Sequence, residues 1–123
     1  MKVLFPLAAI ALFAAPVYAN CTYPPPPAKL PDGRTAALAE MVAAQKEVKA
    51  FDELINAYTA CIKLEENAQL EKGGDKLTDA QKKAIEAQQA QKNNAAVDED
   101  QAIADRFNEQ IRIFKAKSAP PKG

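Results

Sequence analysis

From Thr35 to about Leu70 the chain carries neither proline nor glycine. Within that window apolar or small residues recur at Ala37, Met41, Ala44, Val48, Phe51, Ile55, Tyr58 and Ile62. The intervals alternate between three and four, so at ~3.6 residues per turn all of these positions share one stripe of a helix. Leu38, Leu54 and Cys61 widen the stripe, while Lys46, Glu47, Lys49, Asp52 and Glu53 fall largely outside it. A long amphipathic helix is therefore expected, and its stripe needs a partner to bury it.

The partner follows in the sequence. Gly73-Gly74-Asp75 breaks the pattern, with Gly73 expected as the C-cap. Thr78 then starts a second helix, and Thr78-x-x-Gln81 has the spacing of a capping box. The stretch Asp79 to Lys92 is rich in Ala, Gln and Lys, whereas Ile103, Phe107, Ile111 and Phe114 line one face further on. Between them lies the polar run KNNAAVDED, in which Asp98-x-x-Gln101 is itself cap-like. One continuous second helix is expected, with two shorter ones, three helices in all, as the alternative. A hairpin turning near residue 75 pairs positions whose numbers add to about 150. That sets Phe107 and Phe114 against the stretch Ala37 to Val48, and Ala84 to Lys92 against Tyr58 to Ala68. The fold class is all-α: an antiparallel two-helix, coiled-coil-like hairpin.

Ahead of the helices stands CTYPPPPAKLPDG, residues 21–33. Four successive prolines, Pro24 to Pro27, favour polyproline II at ~3.1 Å per residue, so this segment spans roughly 40 Å. A helix from Thr35 to Cys61 rises 1.5 Å per residue and is also roughly 40 Å long. If Pro31-Asp32-Gly33 turns the chain, the proline strand runs back along the helix and brings Cys21 to Cys61. These are the only two cysteines, and one intramolecular disulfide is the expected arrangement. An intermolecular bridge or free thiols are the alternatives. Tyr23 and the prolines would then cover apolar surface near Leu54 and Tyr58. A proline run can also serve as a ligand for a partner's aromatic groove, but one tied down by a nearby bridge is read first as a strap.

The beginning of the chain points to export. Lys2 is a short positive region, Val3 to Ala15 is apolar, and Val17-Tyr18-Ala19 places small residues at −3 and −1 of a peptidase site. A membrane span would need about 20 uninterrupted apolar residues, and Pro6 and Pro16 interrupt this one. Lipidation at Cys21 is disfavoured by Asn20 and Tyr18, which replace the small and aliphatic residues such a signal uses. The expected organisation is a signal peptide over 1–19, a Pro-rich extended arm over 20–34, a helical hairpin over 35–116 and a disordered tail over 117–123. The expected location is the periplasm, whose oxidising chemistry suits the bridge.

Removing residues 1–19 takes away Lys2 and no acidic residue, leaving 15 basic against 16 acidic, a net charge of −1. Such a balance argues against nucleic-acid binding, which needs a basic face to neutralise phosphates, and against a membrane partner after signal removal. The chain has no histidine, which removes the commonest general base, metal ligand and haem ligand. No Cys-x-x-Cys pair or phosphate-cradling glycine loop is present. Glu65-Glu66 and Asp98-Glu99-Asp100 are local acidic clusters, but glycoside chemistry needs a cleft between its carboxylates. A calcium loop would need alternating ligands and a turn glycine. No catalysis, metal or cofactor is expected.

Leu77-Thr78-Asp79-Ala80-Gln81 resembles the LTxxQ signature of the small periplasmic stress chaperones, an exported, helical and catalytically inert family that carries two such motifs where this chain has one. More broadly, Cys21, Pro24 to Pro27, Pro31-Asp32-Gly33, Met41, Gln45, Val48, Tyr58, Cys61 and Phe107 to Arg112 are similar to a family of small exported proteobacterial helical proteins to which no activity is attached. That resemblance implies the compartment and the two-cysteine arrangement. The expected function is a non-catalytic exported interaction or structural protein, with a protein partner or self-association. Ile103, Phe107, Ile111 and Phe114 are the candidate contact residues. A stress holdase and a small-ligand-binding domain are the alternatives.

Overall fold

The structure, a computed structural model, describes residues 21–119. The expected signal peptide and the last four residues of the expected tail lie outside the described residues. Two helices, α1 (Leu38–Gly73) and α2 (Asp79–Ser118), are joined by a single 3-10 turn at Gly74–Lys76 and packed antiparallel. An extended arm, residues 21–31, is tied to α1 by the Cys21–Cys61 disulfide, with Cα atoms 5.8 Å apart. The described residues contain no strand. The all-α hairpin with a disulfide-tied arm is therefore the architecture of the protein.

α1 starts at Leu38, three residues after Thr35, where the helix is expected to begin. Asp32 is the reason: its carbonyl accepts the amides of Thr35 at 3.1 Å and Ala36 at 2.8 Å, closing a turn. Its carboxylate meanwhile accepts the Arg34 amide at 2.9 Å. The helix then opens at Ala37, whose amide donates to the Glu40 carboxylate at 2.7 Å. At the far end the cap is Gly74 rather than Gly73. Gly74 has φ +48° and donates its N–H to the Leu70 carbonyl, a backbone conformation that suits glycine. Gly73 stays helical and is covered by the Leu77 side chain.

α2 is continuous over 40 residues, so the polar run KNNAAVDED does not divide it. Thr78 caps it reciprocally with Gln81: Gln81 N–H donates to Thr78 Oγ1 at 3.1 Å, and Thr78 N–H donates to Gln81 Oε1 at 2.8 Å. Continuity through the polar run follows from Ala96, which is 0% exposed and sits between Phe51, Ile55 and Ile103. Its small side chain lets the helices approach closely where the flanking residues point outward. Lys117 closes the far end, donating to the Ala36 carbonyl at 3.0 Å and lying 4.9 Å from the Phe114 ring centre. The helix thus runs two residues into the stretch 117–123 expected as tail.

The core has two adjoining layers. One gathers Ala36, Met41, Ala44 and Phe107, with Leu30, Val48, Ile111 and Phe114 against it. The other gathers Phe51, Ile55, Ala96 and Ile103, with Val48 and Tyr58 alongside. Fully burying a side chain such as Phe51 or Ile55 contributes about 1.5–3 kcal/mol. Towards the turn the packing becomes polar: Ile62 is buried, but so is Glu66, which accepts from Lys63 at 3.0 Å, and Lys92 pairs with Glu65 across the helices at 3.7 Å. The arm gives this end no cover, because from Cys61 it runs the other way. Nor does it cover Leu54, which remains 50% exposed. The arm leans over α2 instead.

The bridge closes a loop of 40 residues, which in the chain-entropy view is worth ~4 kcal/mol. Cys21→Ser should therefore lower the melting temperature in oxidising buffer by more than about 10 °C. Thermal circular dichroism should show wild type in dithiothreitol falling to the same value as the mutant; equal melting of oxidised wild type and mutant would refute the strap. Gly33 presents a separate test. A Cβ there would lie 2.2 Å from the Gln110 carbonyl oxygen and 2.9 Å from the Phe114 nitrogen, so neither neighbour can yield without moving α2 backbone. Gly33→Ala should cost about 1–3 kcal/mol by overpacking, read as a fall in the urea midpoint.

Candidate functional site: the groove between arm and second helix

The arm begins on α1 and ends on α2. Beyond the bridge, the Tyr23 ring meets the Tyr58 ring edge-on, with centres 5.1 Å apart and planes at 73°. Its hydroxyl crosses to α2 and donates to the Glu99 carboxylate. Burial, and next that hydrogen bond, push the Tyr23 phenol up to about 12. Pro24 is buried while Pro25 and Pro26 are exposed. Leu30 packs on the first core layer, and the Gly33 N–H donates to Gln110 Oε1 at 2.9 Å. A three-point attachment results: Cys21 on α1, Tyr23 across both helices, and Leu30 to Gly33 at the far end.

Between those attachments the arm stands off α2 and encloses one side of an open groove of about 680 Å³. The arm wall is formed by Pro26 to Asp32, and the floor by Ile103, Arg106, Gln110 and Ile113. Glu99, Glu109 and Arg34 stand at the rim. The rim charges are largely matched. Arg34 pairs with Asp32 at 3.1 Å, which holds the Asp32 carboxyl below its ordinary range. Arg112 pairs with Glu109 and lowers that carboxyl in the same way.

Two smaller depressions flank it. One of about 420 Å³ lies between the arm and the start of α1, beside Leu30, Ala36, Glu40 and Glu47. Another of about 350 Å³ lies on the α1–α2 seam, beside Val48, Phe107 and Ile111, with no arm residue at its edge. Asp52 and Asp100 meet there from opposite helices. Burial, then the hydrogen bond to Asp52 and its charge, raise the Asp100 carboxyl. Among the described residues no group of three or more acidic or cysteine side chains is placed to hold a metal ion. No helix among them is long and apolar enough to cross a membrane.

The four residues expected as partner contacts are committed to the core. Ile103 and Phe107 are buried; Ile111 and Phe114 are half-buried and packed on the first layer. Only Ile103 shows an edge to the arm groove, and Phe107 and Ile111 reach the seam depression. The groove depends instead on Lys29, Arg106, Gln110 and Ile113, which the apolar pattern alone does not single out. For the three on α2 the signal is the spacing three, four, three from Ile103 through Arg106 and Gln110 to Ile113, a second stripe beside the core stripe; Lys29, on the arm, has no such signal. Thr78 and Gln81 of the LTxxQ-like motif serve each other as a helix cap. Compared with protein-family models, with curated proteins and with solved structures, the chain matches none.

Tyr23 supplies a pH test of the arm. A phenol whose folded pKa is raised stabilises the fold below its ordinary value of 10.0 and loses that contribution as pH climbs towards about 12. Ultraviolet titration should show a tyrosine ionising well above the ordinary phenol value. Tyr23→Phe should remove the later transition and the extra stability loss over that window; a late transition that survives in the mutant would contradict the assignment.

Proposed function

We propose that this is a non-catalytic, exported, periplasmic interaction protein that offers the arm-walled groove to a protein partner. The observation that carries the reading is the construction of that groove. A disulfide-held proline arm forms one wall, a buried core residue lies in its floor, and charged side chains rim it. An open trough of this kind suits a segment of another protein better than a small molecule, which is usually held in a concave pocket that buries most of its surface. The segment before Cys21 supports the compartment, and a bridge between the only two cysteines suits an oxidising one. The helical hairpin supplies rigidity and the arm supplies the recognition edge.

Site-specific photo-crosslinking in cells tests this. A photoreactive residue placed at Ile113, on the groove floor, should capture a discrete partner from the periplasm; one placed at Glu86, exposed on α2 outside the groove, should not. The protein recovered should begin at Asn20. Capture at neither position, or recovery from the cytoplasm with residues 1–19 attached, would contradict the proposal. If the oxidised protein at stoichiometric ratio suppresses aggregation of two unrelated unfolding proteins, the dedicated-partner reading gives way to a holdase.

A further inference from the structure

We propose that the hairpin face opposite the arm docks against the same face of a second copy of this chain, making a four-helix bundle about a two-fold axis that runs along the hairpin. The inference goes beyond the reading above, because it concerns the seam that the arm leaves open and keeps both arm grooves on the outside.

A hairpin of two helices has two seams, and the arm lies along one of them. Residues seven apart share a lane of a helix, since seven steps of ~100° make nearly two turns. On α1, Leu38 shares a lane with Gln45 and Asp52, and Val42 shares one with Lys49. On α2, Val97 shares a lane with Ala104 and Ile111. Gln45, Lys49, Asp52, Ala104 and Ile111 all edge the depression on the open seam, which no arm residue borders. Leu38, Val42 and Val97 therefore belong to this face, and all three are exposed.

Self-complementarity names the occupant. Positions on the two helices lie level when their numbers add to about 150, and a two-fold axis along the hairpin sets α1 of one copy against α2 of the other in that same register. Leu38 and Val42 then face Ile111 of the other copy, apolar on apolar. Gln45 faces Asn108, amide on amide. Lys49 comes level with Asp100, cation on acid. Within one chain neither Lys49 nor Asp100 forms an ion pair with a described residue. Asp100 meets Asp52 instead, and burial followed by the Asp52 hydrogen bond raises its carboxyl. The second copy supplies the cation that this pair of acids lacks, and symmetry supplies it twice. The face runs about 16 residues at 1.5 Å each and is two helix widths of about 10 Å across, a footprint of roughly 500 Å² per copy. Two footprints make about 1,000 Å², the lower bound for a specific interface, so the pairing is reversible.

The test is sedimentation velocity on the chain beginning at Asn20, which contains every residue of the described fold, in oxidising buffer. A monomer–dimer equilibrium that shifts with concentration is expected. Lys49→Asp and Asp100→Lys each set like charges opposite one another and should each weaken the dimer at least about tenfold, about 1.4 kcal/mol. Mixing the two variants should restore it as a heterodimer, because the new aspartate of one copy then faces the new lysine of the other while the native pair forms on the far side of the axis. Leu38→Asp should also weaken the dimer. Residue 38 is exposed in the first turn of α1, where an acid favours the helix, so dilute samples of this variant should melt no lower than wild type. A monomer at every concentration would overturn the proposal, whether or not a photoreactive residue at Val97 captures a foreign protein in cells. A dimer indifferent to Lys49→Asp and Leu38→Asp, or charge variants that fail to pair when mixed, would overturn it as well.

Discussion

The covalent tie between Cys21 and Cys61 is the constraint on which the rest of the molecule depends. The arm has no internal ladder to hold it: its prolines lack donors, and polyproline II makes no hydrogen bonds of its own. What keeps it against the helices is a small set of contacts, the Tyr23–Tyr58 pair, Tyr23 to Glu99, Leu30 on the core and Gly33 on Gln110. Each is worth about 1 kcal/mol, comparable with the cost of ordering one residue. A bridge across 40 residues shifts that balance by restricting the unfolded chain. The groove wall follows from it.

A hairpin of two helices buries little, and this one distributes its apolar residues unevenly. Phe51, Ile55, Ala96, Ile103 and Phe107 are concentrated in the half away from the turn. Towards Gly74 the interface passes to Glu66, Gln69, Gln88 and Gln89 around Ile62. The arm lies over the apolar half. Its placement reinforces the half already best packed, so a gradient of local stability from arm to turn is built into the fold.

Much of this was legible in the sequence because the signals were periodic or geometric. The three-four spacing from Ala37 to Ile62 located α1, and the matching lengths of proline segment and helix brought Cys21 to Cys61. Thr78 and Gln81 marked the start of α2. The failures have local causes. Asp32 captured the amides of Thr35 and Ala36 and delayed α1, and no pattern reveals which carbonyl a turn will use. The positive φ fell on Gly74 rather than Gly73 because two adjacent glycines offer the same freedom. The lean of the arm over α2 came from Gln110 and Glu99, polar residues whose partners are remote in sequence. That lean left Leu54 exposed and created the groove, so the site was the least legible part. The apolar stripe Ile103, Phe107, Ile111 and Phe114 was visible but formed core, and Arg106 became visible only once the arm stood opposite it.

The central claim is that the disulfide holds the arm against α2 and thereby makes a wall. Hydrogen-exchange mass spectrometry on the oxidised and the dithiothreitol-reduced protein tests it most directly. The account predicts that reduction raises exchange at the Gly33 amide, the hydrogen-bonded amide of the arm, and in α2 from Ile103 to Phe114, while residues 79–92 near the turn change little. Unchanged protection of the arm after reduction would contradict it, because the arm would then be held by its non-covalent contacts alone.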